Sequence, residues 1–299
     1  MAFAIVDVAK QLSNDTFVGK MKPGVVSKLT STLPEVQLGD TEFFDLSART
    51  KGEIVGEAAA KSPTPTAHPL RHIRTVKIQY TERMSEEFVM YDRETQLRII
   101  ESLAQKWMQS DFLRDLDTVV IHGINPLSGT SAATVQDYIA KAGSSILVPS
   151  TGTSASAINT DLKSAITAVS SKSDVNGIAF ANTAAAKLAS ITENGVQVYP
   201  SLGKFGLNVE GFEGLNAASS KELGDYNGAQ LIVGDWNALR WGVAAEMPVE
   251  LIKFGDPDGQ GDLKRYNQVA LRYEVIFGFG IANPEAFAIV ANASDESES

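Results

Sequence analysis

The sequence predicts an α+β fold made of an extended arm, one spine helix, a mixed α/β segment and returning strands. Three observations predict it. Strand-type alternation flanks a Pro-rich stretch early in the chain, as in Ile73-Arg74-Thr75-Val76-Lys77-Ile78. From Ser85 to Ile121 there is neither Gly nor Pro. The last fifth of the chain is crowded with β-type runs such as "QVALRYEVIFGFGIA".

Composition sets the outer bounds. The 299 residues are 43% hydrophobic and 21% charged, an ordinary globular balance with material for a sizeable core. No run of about 18 apolar residues occurs, so no membrane span is expected, and "MAFAIVDVAKQL" lacks the basic start of a signal peptide. Cysteine is absent, which excludes disulfides, thiolate metal sites and a cysteine nucleophile, and makes the cytosol the default site of synthesis. The net charge of −10 argues against a nucleic-acid reader or a coat for anionic membrane.

Along the chain, residues 1–41 read as a loosely structured arm, because Gly, Pro and Ser/Thr recur too often for a long helix. "TEFFDLSAR" (42–50) and "IRTVKIQY" (73–80) read as the two strands of a long arm with its tip at 52–70. Pro63, Pro65 and Pro69 keep that tip out of any sheet interior. Ser85-Glu86-Glu87 reads as a helix start, a hydroxyl cap followed by acids at the positive end of the dipole. Leu97, Ile100, Ala104 and Trp107, then Leu113, Leu116 and Val120, form one apolar stripe that Gly123 ends. In 124–235, "TSASAINTDLKSAITAVSSK" and "TAAAKLASITENG" read as helices, and "VNGIAFAN" and "AQLIVGDW" as buried strands. "GKFGLNVEGFEGLNAASSKELGDYNG" reads as an exposed loop, and "SDESES" as a disordered acidic end.

Several stretches imitate reactive sites. His68 and His72 have the spacing of a helical metal pair, but Pro69 between them breaks the helix such a pair needs. His122 beside Gly123 suits a helix C-terminus without any further role. Asp256, Asp258 and Asp262 in "DPDGQGDLKRYN" present oxygen ligands around a turn at Gly261, like a calcium loop. Asn267 stands where the bidentate glutamate belongs and the flanks are strand-like, so a polar hairpin connection is the better reading. No phosphate-cradling glycine loop occurs, and "GTSAS" lacks the last glycine of a nucleophile elbow. No metal, no cofactor and no catalytic group is expected.

Read in order, "IVGEAAAKSPT", "MSEE", "DLDTVVIHGINPLSGT" and "VGDWNALRWGV…VELIKF…NQVALRYEVIFGFGIANPEAFAIV" resemble the tailed-bacteriophage major capsid protein family. That family has the Hong Kong 97-type fold, and the resemblance spans roughly residues 40–290. It implies an N-terminal arm (1–41), an extended loop or E-loop (42–82) and a P-domain spine helix (83–123). An A-domain (124–245), P-domain strands and return (246–290) and the acidic tail (291–299) follow. It also implies a non-enzymatic subunit that self-assembles as pentamers and hexamers into an icosahedral virion shell, inside the host bacterial cytoplasm. That shell encloses double-stranded DNA without reading its sequence. A separate scaffolding protein, or none, is implied, with a portal and, as an option, decoration proteins as further partners. Some members cross-link covalently; here Asn267 and Glu274 stand at the corresponding places, and Lys61 or Lys51 could serve as the loop lysine. An encapsulin-like bacterial compartment shell is the alternative with the same fold. A soluble calcium-dependent or hydrolytic enzyme on residues 124–270 is the alternative from another class.

Overall fold

The computed structural model describes residues 24–33, 36–44, 53–57, 70–141, 145–206, 209–225 and 228–291. It begins with a short helix α1 (Val25–Leu29), whose two valines are fully buried. Residues 1–41 were expected to be loosely structured throughout, and this part of them is core instead. The strands β1 (Asp40–Phe44) and β2 (Leu70–Ser85) pair antiparallel, from Asp40 with Arg74 to Phe44 with Leu70. The expected hairpin is therefore present at its base. Residues 45–50, and the tip apart from 53–57, lie outside the described residues.

The spine helix starts later than its sequence suggested. Ser85 ends β2 and caps only a 3-10 turn, Glu86–Met90. Asp92 is the true cap: its carboxylate accepts from Thr95 N at 3.0 Å, and α2 (Arg93–Lys106) follows. A π turn, Trp107–Asp111, joins α2 to α3 (Phe112–His122) without a break. The apolar stripe explains the π turn. Buried Ile100, Ala104, Trp107 and Met108 keep helical spacing, but Phe112, Leu113 and Leu116 drift out of phase with the first of them. One widened turn restores the phase, so both halves face the same core. Gly123 ends the helix in the left-handed region at φ 66°.

The chain continues through β3 (Ile146–Pro149) into α4 (Ala155–Ser170), capped by Ser154. After these come β4 (Gly177–Ala181), α5 (Asn182–Ala189) and the small hairpin β5–β6 (Thr192–Glu193, Val196–Gln197). Then β7 (Gly211–Phe212), β8 (Leu215–Ser220), the single turn α6 (Glu222–Asp225) and β9 (Leu231–Gly234) complete the middle of the chain. The stretch read as an exposed glycine-rich loop is therefore partly a strand. β8 pairs in parallel with β4, with Ala217 and Ala218 buried. Its Leu-Asn-Ala-Ala-Ser-Ser lacks the branched residues that mark a strand in sequence.

Two long strands, β10 (Leu239–Ile252) and β11 (Gln268–Ile281), and the short β12 (Phe287–Ala291) close the fold. One sheet has the order β1-β2-β11-β10 and the other β3-β12-β9-β4-β8-β7. Residues 246–290, expected to return as one block, are thus divided: β12 joins the second sheet, and β10 begins before residue 246.

In the first sheet, the odd residues of β11 from Val269 to Phe277 are buried, and Phe277 meets Phe112 of α3 edge-on at 5.5 Å. The even residues point the other way, ending in Gly278 and Gly280. A Cβ on Gly278 would stand 3.0 Å from Val36, and one on Gly280 would stand 2.8 Å from Ile73. Without side chains there, the residues after α1 can lie flat across that face.

Candidate assembly surfaces

β2 is the axis on which the surfaces are hung. Its first residues, Leu70 to Arg74, pair with β1, and the rest, from Arg74 to Ser85, pairs with β11. Three aromatic rings fasten it to the spine: Tyr80, Trp107 and Tyr273 lie nearly parallel with centroids 6.3–6.4 Å apart. The Tyr80 hydroxyl donates to Asp115 at 2.6 Å, and the Tyr273 hydroxyl donates to Glu246 at 2.5 Å. Burial pushes the Asp115 carboxyl up to about 6 and also raises Glu246. Beside this cluster, a groove of about 550 Å³ runs between β2, α3 and the 125–135 loop. Val76, Tyr80, Asp115, Val119 and Val135 line it, and Leu127 stands almost fully exposed at its rim.

Apolar side chains that the subunit does not cover mark both ends of β2. At the loop end, Leu70 is partly exposed and Ile54 entirely so. At the opposite end, Phe254 and Tyr266 are exposed on the 253–267 connection, with the Lys264 ammonium 5.2 Å above the Phe254 ring. Among the described residues these side chains remain largely exposed, and each is large enough to anchor a contact with a neighbour.

The calcium lookalike resolves at that second end. Arg83 Nε lies 3.0 and 2.8 Å from the two oxygens of Asp258. Its Nη2 reaches Asp256 at 3.1 Å and the Gly261 carbonyl at 2.8 Å, and Nη1 reaches Gln268 at 3.1 Å. A guanidinium therefore takes the place a divalent cation would need. Its hydrogen bonds hold the Asp258 carboxyl down at about 2. Asp262 does not join them; it caps the Leu263–Tyr266 turn through Lys264 N at 2.9 Å and Arg265 N at 3.2 Å. Among the described residues no group of three His, Asp or Glu is placed to hold a metal.

Asn267 and Glu274 are not brought together within one subunit. Asn267 precedes β11 in the left-handed region, at φ 52°, and its carbonyl accepts from Glu86 N at 2.8 Å. Glu274 lies seven residues on, roughly 20 Å along an extended strand and on the opposite face. There it pairs with Lys77 at 2.6 Å. Lys51, Lys61 and His68 lie outside the described residues. His72 sits on β2, 3.1 Å from Asp40, and His122 is buried in the last turn of α3. Among the described residues, no helix is long and apolar enough to cross a membrane.

Two buried acids, Asp161 and Asp117, escaped sequence reading. Asp117 on α3 is 2% exposed, and its oxygens accept from Val25 N at 3.0 Å and Val26 N at 2.9 Å. Its position was a signal: 113, 117 and 120 share one helical face, so a carboxylate interrupts the apolar stripe.

The Phage capsid family matches residues 8–292 of this chain. The chain belongs to the phage capsid family. This capsid subunit is also similar in structure to a chain from Mycobacterium phage Ogopogo, with a TM-score of 0.70 and 32% identity over 92% of this chain and 94% of that one. A chain from Gordonia phage Cozz follows at 0.69 and 23%, covering 93% and 89%. The capsid of an empty GTA particle, computed with C5 symmetry, shares the fold at 0.60 and 13%, covering 92% of each chain. Comparison with curated proteins finds no match. The Hong Kong 97-type fold expected from the sequence is thereby established, and the subunit is a major capsid protein, a structural component of the virion shell. The compartment-shell alternative is not favoured by these relatives.

Proposed function

We propose that copies of this subunit close as pentamers and hexamers into an icosahedral shell around double-stranded DNA of a tailed phage. The observation that supports this is the paired arm: β1 and β2 pair antiparallel, and among the described residues between them Ile54 is fully exposed. A neighbouring copy supplies the missing cover, and repetition by symmetry turns modest contacts into a shell. In this reading residues 42–82 form the E-loop, 83–123 with β10 and β11 the P-domain, and 124–238 with β12 the A-domain. A net charge of −10 keeps DNA from adhering tightly to the wall, which suits packaging and release.

Assembly takes place in the host cytoplasm with a separate scaffolding protein, and a portal and decoration proteins complete the particle. The subunit performs no catalysis, and the shell is held without covalent links. Expression of the chain alone and with its scaffolding protein, followed by negative-stain microscopy, tests the reading. Closed hollow shells are the expected result. A chain that remains monomeric or dimeric under every condition overturns it.

A further inference from the structure

In the second sheet β4 and β12 both run antiparallel to β9, and β3 runs parallel to β12, so β3, β4 and β12 end on one side. Sheets of mixed helix and strand gather ligands beyond such carboxyl ends. A cavity of about 170 Å³ lies there. It is lined by Thr153, which follows β3, by Thr183, Ala184 and Lys187 of α5, and by Gln230 at the entry to β9.

Helix α5 reaches this cavity without a cap. β4 passes into it directly, and the capping position is held by Ala181, whose methyl group cannot accept a hydrogen bond. The N–H groups of Asn182, Thr183 and Ala184 therefore have no acceptor within their own helix. α4 begins beside the same cavity, where Ser154 accepts from Ala157 N at 3.2 Å, and the positive end of its dipole adds to the field. Lys187, one turn along α5 from Thr183, brings an ammonium with no carboxylate partner among the described residues.

A helix start alone attracts any anion, but Gln230 asks for more. It is 8% exposed, and its Nε2 donates to Ser150 Oγ at 2.7 Å and to the Gly152 carbonyl at 3.0 Å. A carbonyl only accepts, so that bond fixes which end of the amide is the nitrogen. Oε1 is left buried with no donor among the described residues, a costly state for a polar atom. A ligand that completes the site must bring negative oxygens for α5 and one O–H for Gln230.

We propose that this cavity binds inorganic phosphate in its hydrogen phosphate forms. The charged oxygens accept from the α5 N–H groups and from Lys187, and the remaining O–H donates to Gln230 Oε1. Inorganic phosphate keeps at least one such proton throughout the neutral range. Sulfate has none there, and neither has the phosphodiester of DNA, so both leave Gln230 without a donor. The site is thereby tuned to a free anion and not to packaged DNA.

Titration calorimetry of the purified full chain with sodium phosphate and with sodium sulfate, at pH 7 and matched ionic strength, tests this. One saturable site per chain is expected for phosphate, with sulfate weaker by about tenfold or more, because it leaves a buried acceptor unpaired. A short DNA duplex should not displace the phosphate. Thr183→Asp, at an exposed position, puts a carboxylate on the first turn of α5, where it complements the dipole and repels the ligand. That variant is expected to lose phosphate binding while its melting temperature holds or rises. Lys187→Gln is expected to weaken phosphate by about tenfold at an unchanged melting temperature. No saturable phosphate binding, or equal affinity for phosphate and sulfate (an adventitious ion only), overturns the proposal. So does displacement by the duplex, or unchanged phosphate affinity in either variant.

Discussion

Arg83 and Asp258, 175 residues apart in sequence, meet in a two-pronged ion pair, with Nε 3.0 and 2.8 Å from the two carboxylate oxygens. The same guanidinium also binds Asp256 and the Gly261 carbonyl, so one side chain ties together two acids and a carbonyl of the turn. Arg83 belongs to β2 and the turn joins β10 to β11. The pair therefore pins the far end of the sheet with a built-in cation.

Calcium should consequently be irrelevant to this subunit. Titration calorimetry with calcium is expected to give no binding heat, and the melting temperature should not respond to calcium or chelator. Arg83→Ala should lower the melting temperature, and Arg83→Lys should restore only part of it, because an ammonium cannot fork between two carboxylates. The Asp258 carboxyl is depressed to about 2, so the stabilisation it gives is present above about pH 4 and fades as pH falls toward 2. Acid melts of wild type and Arg83→Ala should converge in that window.

Gly123→Ala should be sharply destabilising. Its φ of 66° costs a Cβ-bearing residue about 1–2 kcal/mol. The added methyl carbon would also come within 2.3 Å of the Tyr138 ring and force it to move. A denaturant melt should show a lower midpoint at unchanged slope.

Removal of residues 58–67 from the arm should spare the fold and harm assembly. β1 and β2 pair below this segment, and the spine packs on β11 without it. Circular dichroism and the thermal melt should stay close to wild type, while shells become rare in negative-stain fields. A collapse of the melt would place the segment inside the folding unit instead.

Assembled particles should run at monomer mass on a denaturing gel. Glu274 is occupied by Lys77 at 2.6 Å, and Asn267 lies well away from it in the same subunit. A ladder of higher bands would mean that neighbouring subunits bring these groups together with a loop lysine.

The order of elements could be read from the sequence because periodicity survives without tertiary information. The stripe from Ile100 to Val120 reports a buried face, and in 73–78 Val76 and Ile78 share a half-buried face packed on the core. Boundaries were harder. Ser85-Glu86-Glu87 carries a cap's chemistry, yet β2 pairs to its last residue with Gln268, a partner far away in sequence. The sheet overrode a local preference. β8 was invisible because its alanines and serines pack by being small, not by being branched. At the turn, Asp256 and Asp258 looked like metal ligands because nothing local discloses that Arg83 will arrive from another strand.

The placement of β12 has a consequence for the order of synthesis. It lies between β3 and β9 inside the second sheet, with all five residues buried. A growing chain can fold its arm and spine, but it leaves a gap in that sheet until residue 291 has cleared the ribosome. Chains still being translated therefore lack a finished subunit to offer their neighbours. A chain cut short of β12 should leave β3 and β9 unjoined.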